Sequence, residues 1–256
     1  MRIALVQFDV ENGQPERNWE KMEALVSPVE ADLVVLPELW HSGYDLAHAG
    51  QYADREEETL ERLAEIARRK GIYFFAGSLL HRTKRGIENS QAVFSPTGEL
   101  LARYGKLHLF RLMQEDRYLT EGEKPVLVDT PWGKVGLAIC YDFRFPELFR
   151  HYALSDARLI VAPAQWPQAR ELHWKTLIRA RAIENQVFVA ANNRVGRNED
   201  QTVFGGASAL VDPWGETLAE GSDGEGVFLA DLDMSKVEEA RSRIPILQDR
   251  RTDLFA

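Results

Sequence analysis

The chain has 256 residues, of which 28% are charged and 45% are hydrophobic, and its formal net charge is −9. This length can bury a sizeable core, and the absence of a Gly/Ser-rich or Pro-rich linker predicts a single domain over residues 1–256. The acidic excess is spread along the chain, which disfavours a nucleic-acid partner. One cysteine cannot form an internal disulfide, and the first residues lack the apolar segment of a secretory signal or membrane span, so we expect a cytoplasmic protein without a membrane partner.

Short runs rich in aliphatic and β-branched residues recur along the chain with helical segments between them. The runs predicted as strands are 3–8, 33–36, 72–76, 92–94, 135–140, 159–162, 187–191, 207–211 and 227–230. Several of these runs are too uniformly apolar to face water on one side, so part of the sheet must be covered on both faces or pressed against another sheet. The pattern predicts a layered α/β fold, with Pro/Gly turns at 96–98, 131–133 and 212–215 joining consecutive strands.

Two helices have clear sequence signals. The first begins near Asp54 with acidic residues in its first turn and ends with basic residues before Gly71. Its predicted inner face comprises Leu60, Leu63, Ala64 and Ala67. The second helix is predicted from about Arg170 to Asn185, as a scaffold for the strand that follows. Its predicted inward positions include Leu172, Leu177, Ala180 and Ile183.

The only cysteine, Cys140, lies where an apolar strand gives way to a polar turn. A free cysteine is more often a small buried hydrophobic residue than a nucleophile. However, a strand of Val, Leu, Ala and Ile needs no thiol to end it, and a turn that contains arginine is a poor continuation of a core. The position therefore indicates a chemical role for the thiol.

A nucleophilic cysteine needs a base and a group that stabilises the charge formed on the substrate. Glu38 ends an apolar strand and is placed much as Cys140 is, although a charged residue at a strand end is more often a solvated loop residue. Lys106 has aromatic and aliphatic neighbours, which makes a simple exposed lysine less plausible than usual. Each residue is a weak signal alone.

Three short strings combine these residues in the order and approximate spacing of one family. They are PE at 37–38, KLH at 106–108 and CYDFRFPE at 140–147, with further similarity in ARAIEN at 180–185 and GGASALVDPWG at 205–215. The chain resembles the nitrilase superfamily of carbon–nitrogen hydrolases, whose members carry a Glu-Lys-Cys triad. The segments 36–45 and 108–115 are most similar to the ω-amidase branch, especially the bacterial 2-oxoglutaramate amidases of methionine salvage.

The resemblance implies a four-layer α-β-β-α sandwich that pairs as a homodimer with extended layers, and it implies no cofactor. Cys140 is then the nucleophile that forms a thioester, and Glu38 is the base. Lys106 and the backbone N–H of Tyr141 stabilise the oxyanion. Glu115 matches the family's second glutamate, which positions the lysine or the substrate; the alternative is that Glu115 is one of several acids in a polar loop.

Substrate-binding residues are expected around Cys140. The planar guanidinium group of Arg144 either binds the substrate carboxylate through two hydrogen bonds or forms a structural ion pair with Glu147 or Asp142. Trp166, which follows an apolar strand, forms either a pocket wall or a packing plug. Phe110 is a similar candidate for the pocket wall.

These observations predict an amidase that uses water to hydrolyse the terminal amide of short dicarboxylic acid monoamides such as 2-oxoglutaramate or succinamate. The alternatives are an N-carbamoyl amino acid amidohydrolase or nitrilase, or a non-catalytic protein of the same fold that uses Cys140 as a sensing thiol. The histidines have no metal-ligand spacing, and Gly205-Gly206 lacks the Lys-Ser/Thr ending of a phosphate loop. We therefore expect neither a metal nor a nucleotide cofactor.

Overall fold

The computed structural model describes residues 1–254, in which strands and helices alternate. The strands are β1 (Arg2–Gln7), β2 (Leu33–Val35), β3 (Tyr73–Arg82), β4 (Ile87–Phe94), β5 (Leu100–Gly105), β6 (Leu127–Thr130), β7 (Gly133–Leu137), β8 (Ala157–Pro163), β9 (Phe188–Asn192), β10 (Val195–Arg197), β11 (Val203–Gly205), β12 (Ala209–Val211), β13 (Thr217–Glu220) and β14 (Gly226–Asp231). The helices are α1 (Pro15–Val26), α2 (Ala49–Asp54), α3 (Glu56–Lys70), α4 (Glu115–Tyr118), α5 (Pro146–Leu154), α6 (Glu171–Asn185) and α7 (Ser235–Arg243).

The strands form two six-stranded sheets and one separate hairpin. The first sheet has the order β14-β1-β2-β3-β4-β5 and the second has the order β13-β12-β9-β8-β7-β6, while β10 pairs with β11. In the first sheet β1, β2 and β3 are parallel, as are β7, β8 and β9 in the second. The outer strands of both sheets are antiparallel to their neighbours. Each sheet therefore has a parallel centre whose strands end at one common edge.

The two faces of a central strand pack against different layers. In β1, Ile3 and Leu5 lie in the core between the two sheets. The alternate residues Ala4 and Val6 pack with α1 and α3. Helices α5 and α6 cover the outer face of the second sheet. Burial on both faces explains why the sequences of these strands are continuously apolar. The order of layers confirms the expected four-layer α-β-β-α sandwich.

The two helices predicted from the sequence differ in how well their inner faces are predicted. Helix α3 ends as expected at Gly71, which adopts φ 63° and closes the helix in the left-handed conformation. The predicted inner face of α6 is wrong at two positions, because Leu172 is 77% exposed and Ile183 is 50% exposed. The buried positions of α6 are Trp174, Ile178, Arg181, Ala182 and Asn185.

The register of α6 follows from hydrogen bonds that hydropathy does not represent. Trp174 donates its indole N–H to the carbonyl of Ala207 (2.7 Å), and Arg181 donates from Nε and Nη2 to the carbonyl of Phe143 (3.0 and 2.6 Å). A buried arginine with these bonds is as compatible with the core as an aliphatic residue. Leu172 and Ile183 consequently lie on the outer face of this helix.

Three of the four strands at the sheet edges, and the hairpin strands β10 and β11, are not predicted by the sequence analysis. Strand β5 is an edge of the first sheet, and β6 and β13 are the two edges of the second. Edge strands carry polar residues and lack the apolar signal of a central strand. No helix within residues 1–254 is long and apolar enough to cross a lipid bilayer.

Candidate active site

The candidate site lies beyond the carboxyl ends of the central strands, where crevices form in parallel sheets. Glu38 follows β2 of the first sheet, and Cys140 follows β7 of the second. Lys106 follows β5, and its Nζ lies 2.8 Å from Oε1 of Glu38. The charges of Glu38 and Lys106 both act on the pKa of the Cys140 thiol, which lies close to them. The structure thus brings together the three residues that the sequence places far apart.

Cys140 occupies a strained position at the start of a tight turn. Its φ is 45°, a left-handed value that is rare for residues other than glycine, and it is 6% exposed. The turn continues to Arg144 and leads directly into α5. Such a bend lifts the thiol out of the line of the strand and towards the space above the sheet edge.

Asp142 holds this turn through four hydrogen bonds. Its Oδ2 accepts from the backbone N–H of Ile139 (2.9 Å) and from the hydroxyl of Tyr104 (2.7 Å). Its Oδ1 accepts from the backbone N–H of His108 (3.1 Å) and contacts the Nδ1 of the same residue (2.7 Å). Asp142 is fully buried, so these bonds fix the segment that carries Lys106 against the turn that carries Cys140.

The carboxylate of Glu38 is fully buried and both of its oxygens are occupied by donors. Oε1 accepts from Lys106, from Nδ2 of Asn89 (2.8 Å) and from the hydroxyl of Tyr44 (3.0 Å), while Oε2 accepts from the backbone N–H of Gln165 (2.8 Å). This arrangement fixes the orientation of the carboxylate beside the thiol.

Glu115 lies on the other side of Lys106 and is also fully buried. Its Oε1 accepts from Nζ of Lys106 (2.8 Å) and contacts the hydroxyl of Tyr44 (2.8 Å), and its Oε2 accepts from the backbone N–H of Phe110 (2.6 Å). Asp116, by contrast, is exposed. Of these two neighbouring acids, Glu115 therefore turns inward to the ammonium group and Asp116 does not.

The protonation of the cluster follows from its burial and its charges. Burial opposes the charge of Lys106, but the carboxylates of Glu115 and Glu38 outweigh it and raise the pKa of the ammonium group. Burial, with a smaller contribution from Glu38 against the opposing effect of Lys106, raises the pKa of Glu115. Burial and then the charge of Glu38 raise the pKa of the Cys140 thiol, which Lys106 opposes. The raised pKa favours the neutral form of the Cys140 thiol.

A second buried network supports Glu38 from behind. Gln165 donates from Nε2 to the backbone carbonyl of Glu38 (2.8 Å), and its own Oε1 accepts from Nη1 of Arg194 (3.0 Å). Arg194 is fully buried and pairs with Asp9 (2.7 Å), while burial lowers the pKa of its guanidinium to about 10. Residues that follow β1, β8 and β9 thus hold the backbone of the proposed base in place.

A narrow cleft opens at Cys140. Its walls are formed by Phe110, Cys140, Tyr141, Arg144, Gln165, Trp166, Pro167 and Arg170. All four residues predicted to bind substrate therefore lie around the thiol.

Arg144 and Trp166 contact each other in the wall of the cleft. Within residues 1–254 Arg144 forms no ion pair with Glu147 or Asp142, and its guanidinium lies 4.7 Å from the ring centroid of Trp166. Trp166 combines its two predicted roles: it lines the cleft, and it packs against Trp174 with ring centroids 5.3 Å apart. The carboxylate of Asp142 is instead hydrogen-bonded to the backbone N–H groups of Ile139 and His108.

Several residues of the site have no distinctive signal in the sequence. Tyr44, Asn89 and Gln165 surround Glu38, and Arg170 lines the cleft beside Arg144. Tyr44 lies in the string 36–45 that carries the resemblance, but its contact with two glutamates becomes visible only in three dimensions. In the part of the chain that the structure describes, no three His, Cys, Asp or Glu side chains are arranged to hold a metal ion.

Comparisons with known proteins agree with this geometry. The family model described as carbon-nitrogen hydrolase matches residues 2–242. The chain is 40% identical over 256 residues to the 2-oxoglutaramate amidase of Bacillus subtilis (strain 168), a match that covers 99% of this chain and 98% of the relative. It is 35% identical over 266 residues to an omega-amidase of Mus musculus, with 99% and 96% covered. A crystal structure of a CN-hydrolase superfamily protein from Xanthomonas campestris, with an arsenic adduct in its active site, is similar with a TM-score of 0.93 and 34% identity, covering 98% of this chain and 97% of that one.

Proposed function

The chain belongs to the carbon-nitrogen hydrolase family, and we propose that it is an amidase that converts short dicarboxylic acid monoamides, above all 2-oxoglutaramate, into the acid and ammonia. The names of its relatives, a 2-oxoglutaramate amidase and an omega-amidase, support this substrate class. The observation that carries the proposal is the buried contact of Lys106 with Glu38, together with a cleft that is lined by Cys140 and two arginines.

In the first half of the proposed reaction, Glu38 takes the proton of the Cys140 thiol as the sulfur attacks the amide carbon. The negative charge on the carbonyl oxygen is stabilised by the ammonium group of Lys106 and the backbone N–H of Tyr141. Protonated Glu38 then gives its proton to the amide nitrogen, the carbon–nitrogen bond breaks, and ammonia leaves. The acyl group remains on the sulfur as a thioester.

In the second half, a water molecule replaces ammonia beside Glu38. The carboxylate removes a proton from the water as its oxygen attacks the thioester carbon, and the same two donors stabilise the second oxyanion. The carbon–sulfur bond then breaks, the sulfur recovers the proton from Glu38, and the carboxylic acid product leaves. Glu38 acts as base in both halves, which is consistent with the donors that fix both of its oxygens.

Glu115 is proposed to act through Lys106 rather than on the substrate. It balances the charge of the ammonium group from the side opposite Glu38 and fixes the direction in which Nζ points. A lysine held by two carboxylates keeps its charge throughout the reaction, because their combined effect raises its pKa. Its remaining N–H can then donate to the oxyanion.

A parallel assay of four compounds tests the proposed activity. The purified protein is given 2-oxoglutaramate, succinamate, a short nitrile and an N-carbamoyl amino acid, and release of ammonia is measured for the wild type and for Cys140→Ser. We expect turnover of the first two compounds by the wild type alone. Preferential turnover of the nitrile or the carbamoyl compound would assign the chain to another branch, and failure to hydrolyse any of them would favour the sensing-thiol alternative.

We further propose a cytoplasmic homodimer that acts in methionine salvage. The exposed Leu172 and Ile183 on α6 provide apolar surface for pairing of two protomers. Sedimentation equilibrium of the wild type and of Leu172→Asp tests the dimer, because a charge at a buried interface shifts the equilibrium towards monomer. A role in methionine salvage predicts that cells lacking this protein accumulate 2-oxoglutaramate.

A further inference from the structure

The cleft above Cys140 is lined by two guanidinium groups and by no carboxylate side chain. The guanidinium of Arg144 lies 4.7 Å from the ring centroid of Trp166. The guanidinium of Arg170 lies 5.6 Å from the ring centroid of Phe110. Aromatic rings hold both cations, and such contacts leave the N–H groups at the edge of the guanidinium plane available.

Neither arginine is neutralised by an acidic side chain among residues 1–254. The polar side-chain contact of Arg144 is a 3.4 Å approach to Nδ1 of His173, and the side chain of Arg170 has no hydrogen-bond partner in that range. In contrast, the buried Arg181 and Arg194 are fully engaged with carbonyl and carboxylate oxygens. In a protein with a net charge of −9, two unpaired guanidinium groups in one cleft form a site for an anion.

The position of Arg170 is fixed by the wall of the same cleft. Its backbone carbonyl accepts from the indole N–H of Trp166 (2.9 Å), so the residue that directly precedes α6 is tied to the ring over which Arg144 lies. Arg144 follows the nucleophile turn, and Arg170 follows β8 in the neighbouring part of the chain. The two guanidinium groups therefore approach the cleft from different elements.

We propose that Arg170 is a specificity-determining residue that, with Arg144, binds the carboxylate end of the substrate and excludes amides that carry an α-ammonium group. This inference rests on the proposed amidase function. A 2-oxo acid presents a carboxylate and a neutral carbonyl oxygen, and both accept hydrogen bonds from guanidinium groups. Glutamine presents an ammonium group at the same place, where it meets two like charges and no acidic side chain.

The test compares 2-oxoglutaramate with glutamine as substrates of the wild type and of Arg170→Gln. Loss of a charged hydrogen-bonding partner is expected to raise KM for 2-oxoglutaramate on the order of 10- to 100-fold. The value of kcat should change little, because Arg170 is proposed to bind the carboxylate end of the substrate and not the amide group that reacts. The ratio of kcat/KM for 2-oxoglutaramate to kcat/KM for glutamine should fall by about tenfold or more, since the repulsion of the ammonium group is weakened.

Arg170→Lys separates charge from geometry. It keeps the positive charge but loses the planar fork, so we expect a raised KM for 2-oxoglutaramate with continued rejection of glutamine. This variant also decides the question if Arg170→Gln folds poorly, because its long side chain retains the packing against Phe110. A lysine variant that hydrolyses glutamine as readily as Arg170→Gln would overturn the charge-based exclusion.

The matched control is Arg179→Gln, which removes the same charge from an exposed position on α6. It should leave both KM and the substrate ratio unchanged, and an equal effect in this variant would show that net charge alone is responsible. Absence of 2-oxoglutaramate turnover by the wild type would overturn the proposed function. Normal turnover with an unchanged substrate ratio in Arg170→Gln would overturn this inference alone.

Discussion

Replacing Glu115 with glutamine measures how far activity depends on the second glutamate. The change removes one negative charge while keeping nearly the same shape. Both carboxylate oxygens of Glu115 accept an N–H group, from Nζ of Lys106 (2.8 Å) and from the backbone of Phe110 (2.6 Å). An amide has only one acceptor oxygen. In either orientation of the new side chain, one of the two contacts therefore places a donor against a donor.

The size of the effect follows from this lost contact. A buried hydrogen bond to a charged group is worth about 1.5–3 kcal/mol, which corresponds to a loss of about 10- to 150-fold in rate. If the amide nitrogen faces Lys106, the ammonium group is displaced and kcat falls. If it faces Phe110, the cleft wall moves and KM for 2-oxoglutaramate rises. The division of the loss between kcat and KM therefore reports which contact is broken.

Ammonia release from 2-oxoglutaramate by Glu115→Gln provides the assay, with circular dichroism to verify the fold. The control is Asp116→Asn, which makes the same kind of change at the neighbouring exposed acid. We expect the control to remain within about twofold of the wild type, as is usual for exposed positions. Activity of Glu115→Gln within the same margin, or an equal loss in both variants, would refute the reasoning.

Three further predictions concern Glu38 and Tyr44 in the candidate site and His41 outside it. Glu38→Gln should lower the pKa of the Cys140 thiol, because it removes a negative charge that raises this pKa. The same variant should lose amide turnover, because it lacks the proposed base. An unchanged pH profile of iodoacetamide alkylation would contradict the expected pKa shift. Tyr44→Phe removes a hydroxyl that contacts both Glu38 (3.0 Å) and Glu115 (2.8 Å). We expect kcat to fall about tenfold and the acid limb of the kcat/KM profile to move to higher pH. A change in KM alone would argue against a role of this hydroxyl in positioning the two carboxylates. Burial lowers the pKa of His41 from 6.5 to about 4, so the unfolded chain binds the proton first and stability is lost as pH falls through that window. His41→Gln should recover up to about 3 kcal/mol of the free energy of unfolding at the acid end, and thermal unfolding curves of equal pH dependence for both proteins would disprove this.

The sequence alone predicted the layered fold and its central strands. Residues such as Leu5 and Val6 are buried on opposite faces of β1, and their shared apolar character reports this burial without any knowledge of the neighbours. The chain positions of Glu38, Lys106 and Cys140 were also evident, because strand ends and short motifs are local features. Edge strands such as β13 were missed because their outer sides need no apolar residues.

Only the tertiary structure decided which polar groups meet. It distinguished Glu115 from Asp116, since one is buried against an ammonium group and the other is exposed. It turned Leu172 outwards because distant carbonyls fix the register of α6, and it placed Arg170 beside the thiol. Hydrophobic burial follows the periodicity of neighbouring residues, whereas hydrogen bonds and ion pairs depend on contacts between segments that lie far apart in the chain, such as those that hold Glu38. Local patterns in the sequence therefore indicate the layers and the chain position of the thiol, and the folded chain determines the environment of the thiol and the shape of the site.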